Sequence, residues 1–154
     1  MRSMLALAAL TLVFGLSSAF AQDSPPAGVI VVPPDKVKWE NADNMGKGVQ
    51  QAVLMGDPSK PGPFAFLLKL PAGMAVPAHT HPNRENIPSN TGDFEVGLGT
   101  KPDESKAQAM PPGTFASLPP NTPHYAFVGK EGAVVQIWGD GPRGMTLVKQ
   151  EASK

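Results

Sequence analysis

Two imidazoles and a carboxylate fall within seven residues in the run Gly73-Met-Ala-Val-Pro-Ala-His79-Thr-His81-Pro-Asn-Arg-Glu85. If Gly73 to His81 is extended, side chains alternate between faces, so His79 and His81 point to one side and Thr80 to the other. Pro82 then ends regular strand pairing. A short turn through Asn83 and Arg84 returns Glu85 beside the two rings. Two neutral nitrogens and one anionic oxygen suit a divalent transition metal. The same His-x-His pair also reads as two half-exposed surface residues, and the fragment by itself leaves both readings open.

The chain holds three histidines, and the third, His124, ends the run Gly113-Thr-Phe-Ala-Ser-Leu-Pro119-Pro-Asn-Thr-Pro-His124. The first run fits Gly-x5-His-x-His-x3-Glu-x6-Gly at every position from Gly73 to Gly92. The second fits Gly-x5-Pro-x-Gly-x2-His-x3-Asn from Gly113 onward, except for Asn121 in place of Gly and Val128 in place of Asn. On these two motifs the sequence resembles the cupin family over residues 62 to 140. The resemblance implies an all-β fold, the cupin-type double-stranded β-helix, which is a jelly-roll-like antiparallel β-barrel. It also implies that the motifs lie on paired strands and that His79, His81, Glu85 and His124 are metal ligands. Asn is the non-glycine residue that best tolerates positive φ, so Pro120-Asn121 can still form a type II turn. Val128 matches no ligand position, and its departure leaves the ligand set intact.

Many short strands are needed to hold such a site, and the composition supplies them. Eighteen prolines and sixteen glycines lie between apolar runs rather than in one tract, which favours tight turns over disorder. Strands are expected at Val49 to Met55, Phe64 to Leu70, Gly92 to Leu98 with Phe94, Val96 and Leu98 on one face, and Thr114 to Leu118. Further strands are expected at Ala133 to Trp138 and Met145 to Val148. Loops or turns are expected at Asn86 to Thr91, which contains Pro88, and at Gly129 to Gly132. Phe66 and Phe115 read as core, Met74 and Met110 as core filler. Val29 to Val32 reads as an edge strand, and Trp39 as cover for one end of the barrel. No stretch keeps helical periodicity beyond two turns.

Met1 to Ala21 carries Arg2 as its one charge, an apolar run from Leu5 to Leu16 and Ala19-Phe20-Ala21 before Gln22. It reads as a cleavable signal peptide, with a periplasmic or secreted destination. The organisation expected is a signal peptide at 1–21, an N-terminal arm and loop at 22–48 and a barrel at 49–150, leaving about 133 residues after cleavage. The apolar run is short for a membrane span, and no second one follows. Without Arg2 the chain has twelve Lys plus Arg against thirteen Asp plus Glu, a formal charge of −1. Net charge therefore attracts neither nucleic acid nor an anionic membrane. The absence of cysteine excludes disulfides, thiolate catalysis and Cys-ligated metals.

Three histidines and one carboxylate around an ion such as Fe, Mn, Zn, Ni or Cu leave a net positive centre that acts as a Lewis acid or, with a redox metal, oxidatively. Gln136 and Trp138 either line the pocket beside it or face outward, with Gln136 on the solvent face and Trp138 against the loop that follows. Arg84 reads as a solvated loop charge. With every histidine assigned to metal, none remains to activate a serine. The functional expectation is metal-dependent oxidoreductase or lyase chemistry on a small organic molecule. A non-enzymatic module that binds or senses a small ligand and a structural metal clasp are the alternatives. The resemblance adds a homodimer as the expected assembly.

Overall fold

Along Phe64 to Leu70 the even-numbered residues Phe64, Phe66, Leu68 and Leu70 enter the core, while on the other face Leu67 is buried outside that cluster and Lys69 stays exposed. Burying each such side chain is worth about 1.5–3 kcal/mol, so this strand anchors the molecule. The computed structural model describes residues 27–149. The strands are β1 (Glu40–Asn41), β2 (Gln50–Met55), β3 (Gly62–Leu70), β4 (Ala75–Thr80), β5 (Glu85–Leu98), β6 (Gln108–Ala109), β7 (Phe115–Leu118), β8 (His124–Gly141) and β9 (Thr146–Leu147). All pair antiparallel. The only helices among the described residues are 3-10 turns at Pro34–Lys36, Asp43–Met45 and Glu104–Lys106.

Strand order is β1-β2-β3-β8-β4-β9, with β5 paired to β6, β7 and β8. The fold class is the antiparallel jelly-roll arrangement expected from the sequence, with pairing that follows an open path rather than a closed ring. Two long strands form its spine. The ladder between β5 and β8 runs from Asn86↔Trp138 to Leu98↔His124, and register shifts at Ser89/Thr91 and Gly92/Phe94 bend it. Gly92 sits at that bend with φ 83°, and a Cβ there would lie 2.0 Å from the Gly132 carbonyl oxygen. Only glycine fits.

The core joins β3 to Ile87, Phe94 and Val96 of β5 and to Ala126, Val128, Ala133, Val135 and Ile137 of β8. Met110 is buried in it, and Met74 packs against it.

Several expectations are corrected by this arrangement. Asn86 to Thr91 is strand, not loop. Pro88 of β5 pairs with Phe115 of β7, and Asn86 can be buried because it donates to the Trp138 carbonyl and accepts from Ser117 Oγ. Gly129 to Gly132 lies inside β8 rather than in a hairpin, since the spine strand continues through its bulge. Phe115, expected in the core, is 55 % exposed, and Leu98, at the end of β5, is 66 % exposed where Phe94 and Val96 are buried. Both lie where a strand has left the two-sided interior. Trp39, expected as cover, is half-buried beneath Lys69, whose Nζ is 6.0 Å from the ring centroid. The sheet begins at Glu40, ahead of the expected start at 49, and Ala42 is buried in its core. Ala27 to Val31, the described part of a unit that ends at Val31, is exposed and forms no strand, and Val32 is likewise outside any strand. The expected signal peptide at 1–21 and the tail from Gln150 lie outside the described residues.

Candidate metal centre

His79 in β4 and His81 just past its end lie two residues apart, and both are buried beside Glu85 and His124. β4 carries a bulge on the way. Val76 pairs with Ala126 and His79 with His124, so one extra residue fits between them around Pro77, which has no N–H to lose from the ladder. After His81 the chain turns through Pro82, Asn83 and Arg84, and Glu85 opens β5 at 6 % exposure.

His124 is delivered by the turn Pro119-Pro120-Asn121-Thr122. Asn121 has φ 60°, the one positive value at a non-glycine residue among those described, with Pro120 before it as a type II turn requires. The Thr122 N–H closes the turn on the Pro119 carbonyl, and the Asn121 N–H donates to the His81 carbonyl at 2.7 Å. Glu85 and His124 open opposite ends of the bent spine, yet the curl brings their side chains to 3.1 Å.

The four residues offer ligand atoms that all lie within 4.8 Å of one another, and each is buried. The outer ring nitrogens decide how the histidines face. His79 Nδ1 donates to the Pro77 carbonyl at 2.8 Å, His124 Nδ1 to the Thr122 carbonyl at 2.9 Å, and His81 Nδ1 to the Gly144 carbonyl. A carbonyl oxygen only accepts, so each Nδ1 carries the proton and each Nε2 is the nitrogen left free to ligate. His81 Nε2 lies 3.2 Å from Glu85 Oε1, and His124 Nε2 lies 3.1 Å from Glu85 Oε2. Each contact places a lone pair against a carboxylate and needs a cation between them, a proton or a metal ion. The donor set therefore fits a divalent transition metal.

Electrostatics agree. Burial pushes the His79 imidazole down to about 4, and the neighbouring His124 and His81 add to the shift, while the Pro77 carbonyl and Glu85 oppose it. Burial alone would raise the Glu85 carboxyl, but His124 and His81, which donate to it when their Nε2 is protonated, and the Arg143 charge hold it well below the usual carboxylate range. At neutral pH a neutral imidazole at His79 and a carboxylate at Glu85 stand ready to ligate.

Arg143 is the residue that sequence reasoning missed. Its Nη2 donates to Glu85 Oε1 at 3.0 Å and lies 3.4 Å from His81 Nε2, and its guanidinium carbon is 5.3 Å from the Phe66 ring centroid. No spacing announces it. The loop after β8 carries it back, with the Arg143 N–H bonded to the Pro58 carbonyl.

His79, Glu85 and Arg143 open onto a cavity of about 350 Å³ whose wall is largely aliphatic, including Val49, Leu68, Met74 and Ile137. Gln136 and Trp138 are not part of it, and of their two readings the outward one holds. They alternate with Val135 and Ile137, and it is Ile137 that faces the cavity. Gln136 and Trp138 line a separate outer groove with Met55 and Phe64, and Trp138 is 42 % exposed. Arg84 is exposed and donates to Ser117 Oγ at 3.1 Å, a surface loop charge as expected.

Solved structures with the same arrangement share little sequence with this chain. It is similar to the polyketide cyclase RemF from Streptomyces resistomycificus, with a TM-score of 0.65 and 19 % identity over 80 % of this chain and 87 % of that one. It is similar to an RmlC-like cupin from Shewanella frigidimarina, with a TM-score of 0.55 and 16 % identity over 70 % of this chain and 86 % of that one. The fold is that of the cupins. The DMSP lyase DddQ from Ruegeria pomeroyi is a further similar structure, with a TM-score of 0.57 and 18 % identity over 75 % of this chain and 64 % of that one. No protein-family model matches the sequence, and no curated protein does. Cupin neighbours thus include enzymes of differing chemistry.

Proposed function

We propose that this chain is a metal-dependent cupin that binds one divalent transition metal through His79, His81, Glu85 and His124 and acts on a small organic molecule held in the adjoining cavity. The observation that carries the reading is the set of three Nδ1–H bonds to backbone carbonyls, which turns three Nε2 lone pairs toward one buried carboxylate. When bound, the metal supplies Lewis acidity or, if redox-active, oxidative chemistry. The chain does the rest. Backbone carbonyls fix the imidazole tautomers, and the aliphatic wall excludes water from the substrate.

Oxidoreductase or lyase chemistry is the reaction class that this site suits, in line with a cyclase and a lyase among the similar structures. The protein is exported, a reading supported by Arg2, the apolar run from Leu5 to Leu16 and Ala19-Phe20-Ala21. A panel of small organic acids and diketones, screened for turnover and for oxygen uptake with the metal-loaded protein, tests the activity. Turnover that disappears in His79→Ala supports an enzyme. Ligand-dependent thermal stabilisation without turnover in any assay moves the reading to a binding module.

A further inference from the structure

Arg143 is the one Lys or Arg among the described residues lining the cavity, and Glu85 holds it inside the ligand cage. Because His81 Nδ1–H is committed to the Gly144 carbonyl, His81 Nε2 has a single lone pair, and Arg143 Nη2 stands 3.4 Å from it. One lone pair serves one cation. A metal bonded to that nitrogen would lie within about 5.5 Å of the guanidinium, two like charges in a buried site. Arg143 is also imperfectly seated where it is. Its Nε is buried without a hydrogen-bond acceptor, a cost that a different position of the side chain would relieve. Its backbone is fixed through the bond to Pro58, so the movement available is that of the side chain.

We propose that Arg143 and the metal exclude each other from the cage, and that the expelled guanidinium becomes the anion-binding group of the cavity. The loaded protein then takes a small monocarboxylate with an apolar body, its charge on Arg143 and its body against Leu68, Met74 and Ile137. In the metal-free protein Arg143 is spent on Glu85, so metal and carboxylate bind cooperatively. This rests on the four residues being metal ligands.

Zinc is titrated into the metal-free wild type and R143M against a chromogenic chelator, and benzoate is then titrated by calorimetry into the zinc-loaded forms. Zinc is expected to bind R143M at least about tenfold more tightly than the wild type, because the competing cation is gone. Benzoate is expected to bind the loaded wild type at least about tenfold more tightly than the loaded R143M. Arg143→Gln reads in the same direction and serves if R143M does not fold. Weaker zinc binding in the variants would show Arg143 holding Glu85 in place for the metal and would overturn exclusion. Equal benzoate affinity would overturn the anion role. No zinc binding in any form would remove the ligand assignment itself, and the proposal with it.

Discussion

The molecule pairs carboxylates with cations in two contrasting settings. At its surface, Asp57-Pro-Ser-Lys60 and Asp103-Glu-Ser-Lys106 repeat one device. In each, the Ser N–H and Oγ donate to Asp Oδ1, and the Lys ammonium meets Oδ2 at 2.8 or 2.7 Å. The lysines are 74 % and 76 % exposed, so water and salt screen the pairing, and the turns serve as punctuation between strands. In the cage, Glu85 at 6 % exposure meets His81, His124 and Arg143 at 3.0–3.2 Å. Contact distances are similar in the two places. Desolvation separates them, because a buried carboxylate has no water to fall back on and depends on its cations.

The largest expected effect follows from that dependence. Glu85→Ala in the metal-free protein strands the Arg143 charge and should cost about 3–5 kcal/mol in urea unfolding. Adding R143M to Glu85→Ala should recover most of the loss; equal instability of the single and double variants would mean the pair is not what couples the cage.

Acid separates the regions next. His79 has a folded pKa of about 4 against an ordinary value of 6.5, so its contribution is complete above 6.5. It is lost as pH falls toward 4, because the unfolded chain takes a proton that the folded one refuses. Glu85, held well below its ordinary 4.5, adds a loss on the acid side of that value. Urea midpoints of the metal-free protein should therefore fall between pH 6.5 and 4, and His79→Ala should flatten the slope. The carboxyls of Asp57 and Asp103 are also lowered from 3.8, chiefly by their Lys partners, so the turns respond only in stronger acid.

Smaller still is the effect of the outer groove. Gln136→Ala and Trp138→Ala should leave metal stoichiometry at the wild-type value, since both residues lie on the far side of β8 from the cavity. Metal loss in either variant would place that face in contact with the site. Asp57→Asn and Asp103→Asn should leave the urea midpoint within error of the wild type at neutral pH. A clear fall would show that exposure does not weaken these pairs as argued.

Legibility in the sequence follows the same division. His79, His81 and Glu85 were readable because their geometry is local, set by strand alternation and one short turn. His124 needed the second motif, since it meets Glu85 only through the curl of the β5–β8 ladder. Arg143 was not readable at all: its place depends on how the loop after β8 folds back, and no periodicity encodes that. For Gln136 and Trp138 the alternation was readable but the face was not, because a period of two says which residues share a side and not which side is the interior. Pro88 and Gly129 to Gly132 looked like breaks, yet bent strands absorb such residues at bulges.

Elemental mass spectrometry tests the central claim most directly. The chain is purified without a histidine tag, beside a His79→Ala/His81→Ala variant shown to be folded by its melting transition. The account predicts a near-stoichiometric divalent transition metal in the wild type and its loss in the variant. A wild type that takes up no metal even after reconstitution would contradict it.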